Sequence, residues 1–256
     1  MPKSPLLQAR NLSEVAWLRH GFGTRACGLR HSKPPRREHR RLRMLRQVHS
    51  DWVWRDPAWL APGDGLITRQ PGALLTVRTA DCCPVLLADT RLRAVAAVHA
   101  GWKGTLNRIA EKAVGEMRAA WGSNPADLRA AVGPCIGPCC YEVGGEVEQA
   151  FRARFAYAAE LFQAPADDPV RNRYPMLFMT AAPPGHAPDH AYDTQFNPAP
   201  RLRLDLAAAL RTQLAEAGIP SAAIETVSIC TRCHPELFYS HRAGDVGRMM
   251  SAIVIN

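Results

Sequence analysis

No run of about 18 apolar residues, the length needed for a membrane-crossing helix, occurs in this 256-residue chain. The opening stretch, MPKSPLLQARNLSEVAWL, lacks the long apolar core of a secretory signal peptide. These absences lead to the expectation of a cytoplasmic protein with no membrane partner. Aromatic residues are sparse, and none lies between positions 29 and 46. That stretch, LRHSKPPRREHRRLRMLR, carries eight Lys or Arg and one Glu. A surface for single-stranded nucleic acid interleaves stacking rings with its cations. Without rings the stretch reads as a solvated basic segment, and nucleic acid is not an expected partner.

The chain also lacks two cysteine signatures that its composition invites. Zinc nucleobase deaminases carry a His-x-Glu upstream of a Pro-Cys-x-x-Cys phrase. Here Cys135 and Cys139 are separated by three residues, and the His-x-Glu, His234-Pro235-Glu236, lies downstream. Cys230-Thr231-Arg232-Cys233-His234 matches the haem-attachment pattern, but covalent haem requires export. The eight cysteines sit in a chain much longer than small disulfide scaffolds. Most are expected to be buried thiols, with Cys135, Cys139 and Cys140 as packing residues. His186 and His190, surrounded by Pro183, Pro184 and Pro188, read as surface histidines.

What is present points to one α/β domain over residues 1–256, with mixed β-sheets flanked by helices and a metal site at strand ends. An apolar fraction of 47% suffices for a sizeable core. Short runs rich in Val, Leu and Ala predict buried strands at Leu74–Val77, Pro84–Ala88 and Ala94–Val98. Further strands are predicted at 52–54, 66–68, 128–133, 224–229 and 250–255. The 3.6-residue recurrence of Leu106, Ile109, Ala110, Ala113, Val114 and Met117 predicts a helix over about 103–121. Other helices are predicted from about 144 and over 204–217, the latter ending at Gly218. Residues 156–201 mix Met, Pro, His and Asp and read as a loop or lid insertion.

The polar residues between the central strands are the candidate site. Asp81, Cys82 and Cys83 fall between the first two runs, and His99 ends the third. His49 precedes another strand. Two His and one Cys suit an open zinc site, although Cys82 and Cys83 would serve equally as small buried hydrophobes. Asp64 is either a turn residue or a polar group near the metal. Gly101 and Gly104 permit close approach of an anion, with Lys103 as the charge. His241, Arg242 and Arg248 cluster near the C-terminus, where arginine grips phosphate bidentately.

The phrases QVHS (47–50), GDGLIT (63–68), TADCCPVLLAD (79–89), AVHAGWKGT (97–105), GPCIGPCCYEVGGEV (133–147) and FYSHRAGDVGRMMSAIVI (238–255) resemble the laccase-domain family, also called YfiH-type or polyphenol-oxidase-like. HGFGTR, with Arg25 at its close, is similar to the family's opening strand. The basic link 26–46 is shorter than the family's usual connection. The resemblance implies that His49, Cys82 and His99 are zinc ligands and catalytic, with Cys83 at a variable position. Substrate or phosphate contacts are expected at Arg248, Lys103, Gly101, Arg25 and His241, and the resemblance implies that the segment holding Arg248 lies at the active site.

Family members are described as purine nucleoside phosphorylases with adenosine deaminase and methylthioadenosine phosphorylase activities. Others are described as copper polyphenol oxidases or peptidoglycan editing factors. A zinc-lowered water pKa, from about 15.7 to near 7, suits deamination of adenine at C6. An anion pocket would add phosphate as a nucleophile at C1′. The expected partners are therefore a purine nucleoside and phosphate, and the expected cofactor is zinc, with copper as an alternative. Nine histidines without a His-x-His pair are a poor basis for multicopper oxidation. Hydrolysis of a cell-wall precursor remains the alternative, through the metal or through Cys82 as nucleophile with His99 as base. A non-catalytic zinc-stabilised module holding RNA is the remaining reading.

Overall fold

The computed structural model describes residues 6–27, 42–164 and 202–256. They fall into two compact units, 1–141 with 205–256, and 142–204. The histidines at 186 and 190 and most of the predicted 156–201 insertion lie outside the described residues.

In chain order the larger unit contains β1 (Leu6–Leu7), α1 (Arg10–Ser13), β2 (Leu18–Gly23), β3 (Leu42–Met44), β4 (Val53–Arg55), β5 (Gly65–Thr68), β6 (Leu74–Thr79), β7 (Cys83–Asp89) and β8 (Ala94–Ala100). It continues with α2 (Trp102–Leu106), α3 (Ile109–Trp121) and β9 (Leu128–Val132). The smaller unit holds β10 (Glu142–Val143), α4 (Gly145–Arg154), α5 (Ala158–Leu161), β11 (Phe162–Gln163) and β12 (Leu202–Leu204). The larger unit closes with α6 (Leu206–Glu216), β13 (Ile224–Thr226) and β14 (Met249–Ile255).

Two mixed sheets build the larger unit. One runs β1-β2-β14-β6-β3 and the other β13-β9-β7-β8-β5-β4. The burial patterns explain the layers. Every residue of β7 and β8 is buried, whereas β14 alternates buried and partly exposed positions. A strand covered on both faces reads as a continuous apolar run, and one covered on a single face alternates. Accordingly Leu75, Val77, Ile253 and Ile255 of the first sheet share one core with Leu86, Ala88, Val95 and Ala97 of the second. Helices α3 and α6 cover the second sheet's other face. The buried stripe of α3 is Ile109, Ala110, Ala113, Val114 and Met117, as the periodicity predicted.

The predicted 103–121 helix is broken. Asn107 closes α2, and Arg108 adopts a left-handed conformation, φ 60°, before α3 begins. The Arg108 guanidinium spans Glu111 at 2.8 Å and Glu216 at 3.2 Å, which ties the break to α6. The basic link also differs from expectation at its end. Residues 42–44 form β3, parallel to β6, and Leu42 and Leu45 are buried. In the smaller unit β10-β12-β11 form a three-stranded sheet. Phe151, Phe155 and Phe162 pack there by their rings. Residues 158–163, read as loop, carry a helical turn and a short strand.

Candidate metal centre

Register assembles the site. β7 and β8 are antiparallel, with Cys83 opposite Ala100 and Pro84 opposite His99. Cys82, just before β7, therefore lies beside the end of β8. His49 arrives on the loop between β3 and β4. Its backbone is left-handed, φ 57°. Such a conformation is strained for a non-glycine residue, and Asp64 explains why it holds. The fully buried Asp64 carboxylate accepts the backbone N–H of Val48, His49 and Ser50 and the Ser50 hydroxyl at 2.7–3.2 Å. The loop is wrapped around one anion.

The same carboxylate meets Nδ1 of buried His99 at 2.8 Å. This leaves Nε2 of His99 for a further partner and fixes the ring, the arrangement typical of metal-binding histidines. Nε2 of His49 lies 3.9 Å from Sγ of Cys82. The ligand atoms of His49, Cys82 and His99 all lie within 4.8 Å of one another. A tetrahedral ion with metal–S about 2.3 Å and metal–N about 2.05 Å separates S and N by about 3.6 Å. The three side chains therefore fit one zinc-sized ion with little movement. His49 is exposed and His99 buried, so the cluster opens to solvent on one side. A Cβ on Gly101 would lie 3.0 Å from Sγ of Cys82 and 3.1 Å from the His49 ring. Gly101 is the residue that leaves room for the cluster.

Electrostatics match. Burial pushes the Cys82 thiol up, but hydrogen bonding to His49 and His99 outweighs it and brings its pKa down to about 6. Burial opposes charge on His99, yet Asp64 and Cys82 raise its pKa to about 9. Burial likewise disfavours the Asp64 anion, and its donors, His99 and Ser50 foremost, still hold its pKa below the ordinary value. Without a metal, the group favours a thiolate beside a protonated His99 ring held by Asp64. Cys83 differs: it is fully buried, and burial, then Cys135, drives its pKa well upward.

Asp81, which the sequence reading left without a role, organises the opposite wall. It is buried, with φ 81°. Its carboxylate accepts Thr231 Oγ1 at 2.7 Å, Ser240 Oγ at 3.0 Å and the Arg242 N–H at 2.7 Å. The C-terminal turn is thus fastened to the residue preceding Cys82. Tyr141 lies beneath the Arg242 guanidinium, 5.4 Å from ring centre. Burial and the nearby Cys82 raise its pKa. The only sequence signal for Asp81 was an aspartate at the junction of two apolar runs.

The predicted anion contacts are more dispersed. Arg25 donates to Phe238 O at 2.7 Å and pairs with Asp245 at 2.6 Å, while lying 4.3 Å from the Tyr239 ring centre. It braces the 238–248 turn. Arg248 is exposed, and Nη1 donates to the carbonyls of Asp245, Val246 and Gly247. Its Nε and Nη2 have no protein partner among the described residues. Exposed Lys103 lies 5.5 Å from the Trp102 ring centre. Exposed His241 belongs to the same turn, its carbonyl accepting Gly244 N–H. The helix behind Gly101 has only five residues, so its dipole is weaker than a 103–121 helix would supply. A separate cavity of ≈ 350 Å³, lined by Leu42, Arg43, Asp56, Pro57, Trp59 and Gln70, contains none of the cluster.

Comparison with known proteins places this architecture. A purine nucleoside phosphorylase of Bacteroides thetaiotaomicron is 33% identical over 195 residues, 75% of this chain and 61% of its own length. Adenosine deaminase RL5, from an unknown prokaryotic organism, is 35% identical over 192 residues, 74% of this chain and 61% of its own. The chain thus spans about three-fifths of these relatives. The crystal structure of the hypothetical protein YfiH of Bacillus licheniformis matches with a TM-score of 0.76 at 27% identity, covering 99% of this chain and 98% of that one. The family model for the multi-copper polyphenol oxidoreductase laccase matches residues 30–180 and 178–256, so His49, Cys82 and His99 all fall inside it, and the chain belongs to that family.

Proposed function

We propose that the chain is a zinc-dependent purine nucleoside phosphorylase that also deaminates adenosine and cleaves methylthioadenosine. The observation that carries the reading is the convergence of His49, Cys82 and His99, with Asp64 behind His99. Relatives named purine nucleoside phosphorylase and adenosine deaminase support the substrate class. His49, Cys82 and His99 would hold the metal. Three protein ligands leave a coordination position open, and zinc so held makes water nucleophilic at neutral pH and polarises an attached oxygen.

The chain's own residues do the rest. Asp64 would keep one His99 proton on Nδ1, so that the proton displaced on metal binding is the one on Nε2. Gly101 keeps the approach to Cys82 and His49 open. The Nε–Nη2 edge of Arg248 offers paired donors to a phosphate oxyanion, and Lys103 adds charge. Arg25, through Asp245, holds that turn. Copper remains the alternative metal, because imidazole and thiolate accept both. The Cys82–His99–Asp64 contacts also support hydrolysis through a Cys82 nucleophile on a cell-wall precursor. The test is phosphate-dependent release of hypoxanthine from inosine by zinc-loaded protein. Failure of that assay and of adenosine deamination, with precursor hydrolysis present, would replace this reading by the editing one.

A further inference from the structure

Not all of the cysteines read as packing residues are buried. Cys135 is buried, but Cys139 is exposed and Cys140 only half-buried. Strands β9 and β13 are parallel neighbours, so the loops that follow them leave the sheet at the same end. An isolated parallel β-bridge between the backbones of Cys135 and Cys230, both free thiols, and the bond from Thr231 N–H to Cys135 O keep these loops side by side. Four sulfurs from two distant phrases then converge. Sγ of Cys233 lies 3.5 Å from that of Cys139 and 3.4 Å from that of Cys140. Gly137 N–H points at Sγ of Cys230 at 3.3 Å. The sulfurs of Cys139, Cys140, Cys230 and Cys233 all lie within 4.8 Å of one another.

We propose that Cys139, Cys140, Cys230 and Cys233 form a second metal site, a closed tetrathiolate that holds one structural zinc ion. With Zn–S about 2.3 Å, a tetrahedral site has sulfur–sulfur edges of about 3.8 Å. The observed short edges are within a few tenths of an ångström of that value. Cys230 and Cys233 have the two-residue spacing usual for one half of such a site. The other half uses adjacent cysteines, and the turn that returns Cys140 and Tyr141 N–H to Gly137 O presents both. A Cβ on Gly137 would meet Sγ of Cys139 and Cβ of Cys230 at 3.3 Å, so glycine there keeps the sulfurs together. Binding releases the thiol protons to solvent and leaves four zinc–sulfur bonds, with no change of oxidation state. Four protein ligands leave no position for substrate. The ion's role is to staple the 133–141 loop to the segment leading to Thr231 and Ser240, which hold Asp81. His234 faces Glu236 instead, at 3.1 Å.

The experiment is metal analysis of the full chain, purified under reducing conditions, zinc-loaded and dialysed. Wild type should carry two zinc ions per chain. Cys82→Ala should retain one, and in that variant cobalt should give the thiolate-to-metal charge transfer of a four-sulfur tetrahedral site. Cys233→Ser should lose the tetrathiolate ion. Should it fail to fold, alkylation of folded Cys82→Ala gives an independent readout. Zinc should protect Cys139, Cys140, Cys230 and Cys233 together, and chelation should expose them. A single zinc in wild type that disappears in Cys82→Ala would overturn the proposal. So would a disulfide to Cys233 in metal-free protein under these conditions, or alkylation unchanged by zinc. Each readout is independent of nucleoside turnover.

Discussion

Asp64→Asn tests how the His49–Cys82–His99 cluster is built. The change preserves shape but replaces one acceptor oxygen by an NH2 group. Oδ2 accepts Val48 N–H, Ser50 N–H and the Ser50 hydroxyl, while Oδ1 accepts His49 N–H and faces His99 Nδ1. If the amide nitrogen takes the Oδ2 place, two backbone N–H groups face a donor. If it takes the Oδ1 place, His49 N–H loses its acceptor and His99 must move its proton to Nε2, the atom needed by the metal. Hydrogen bonds to a charged group are worth about 1.5–3 kcal/mol each. Two such losses come to about 3–6 kcal/mol. At about 2–4 °C per kcal/mol for a domain of this size, melting should fall by about 6–24 °C. Zinc affinity should fall by about 10–100-fold, as for other partners of metal-binding histidines. Thermal melts of the zinc-free protein and competition against a chelator measure the two effects separately. Melting within about 2 °C of wild type, with unchanged zinc affinity, would refute the argument that one buried anion shapes both the loop and the ligand.

Arg248→Ala should weaken phosphate dependence about ten- to hundredfold, the loss of one charged hydrogen bond, while sparing metal content and affecting deamination less. Equal loss of both activities would assign Arg248 to the nucleoside or the fold. His20 is buried, which lowers its pKa, and as a neutral ring it accepts Ala9 N–H at 3.0 Å, with Glu225 pulling the other way. Unfolded chains take that proton near pH 6.5 and the folded one only at lower pH. This contribution is therefore present above about 6.5 and is lost as pH falls below it. Melts at descending pH should show a drop that His20→Gln reduces; an identical drop in the variant would contradict the assignment. Met117→Ala empties a fully buried side chain on α3 and should cost about 2–5 kcal/mol in denaturant unfolding. Asp205→Ala removes the acceptor of Ala208 N–H at the start of α6 and should cost about 0.5–2 kcal/mol by the same measurement.

Local signals account for what the sequence disclosed. β7 and β8 were visible because strands covered on both faces are unbroken apolar runs. α3 was visible because its five buried residues recur with the helical period. The interruption at Asn107–Arg108 was not, since neither residue is Gly or Pro and the break is held by Glu216, far along the chain. β3 was hidden among arginines, because its burial comes from pairing with β6. The three short strands of the smaller unit offered too few residues to show a period. His49, Cys82 and His99 could be singled out by residue type and by the family phrases, but their approach depends on the β7–β8 register. Asp64 had an Asp-Gly turn as a sufficient explanation. The four clustered cysteines were visible as two phrases roughly ninety residues apart, and only the parallel β9–β13 pairing makes them one group.

The most direct test of the metal-centred account compares zinc-loaded wild type with Cys82→Ala and Cys83→Ala, measuring zinc per chain and phosphate-dependent release of hypoxanthine from inosine on the same samples. The account predicts that Cys82→Ala loses one zinc and the activity together, while Cys83→Ala, altered only in a buried thiol, keeps both. Full zinc and full activity in Cys82→Ala, or their joint loss in a folded Cys83→Ala, would contradict it.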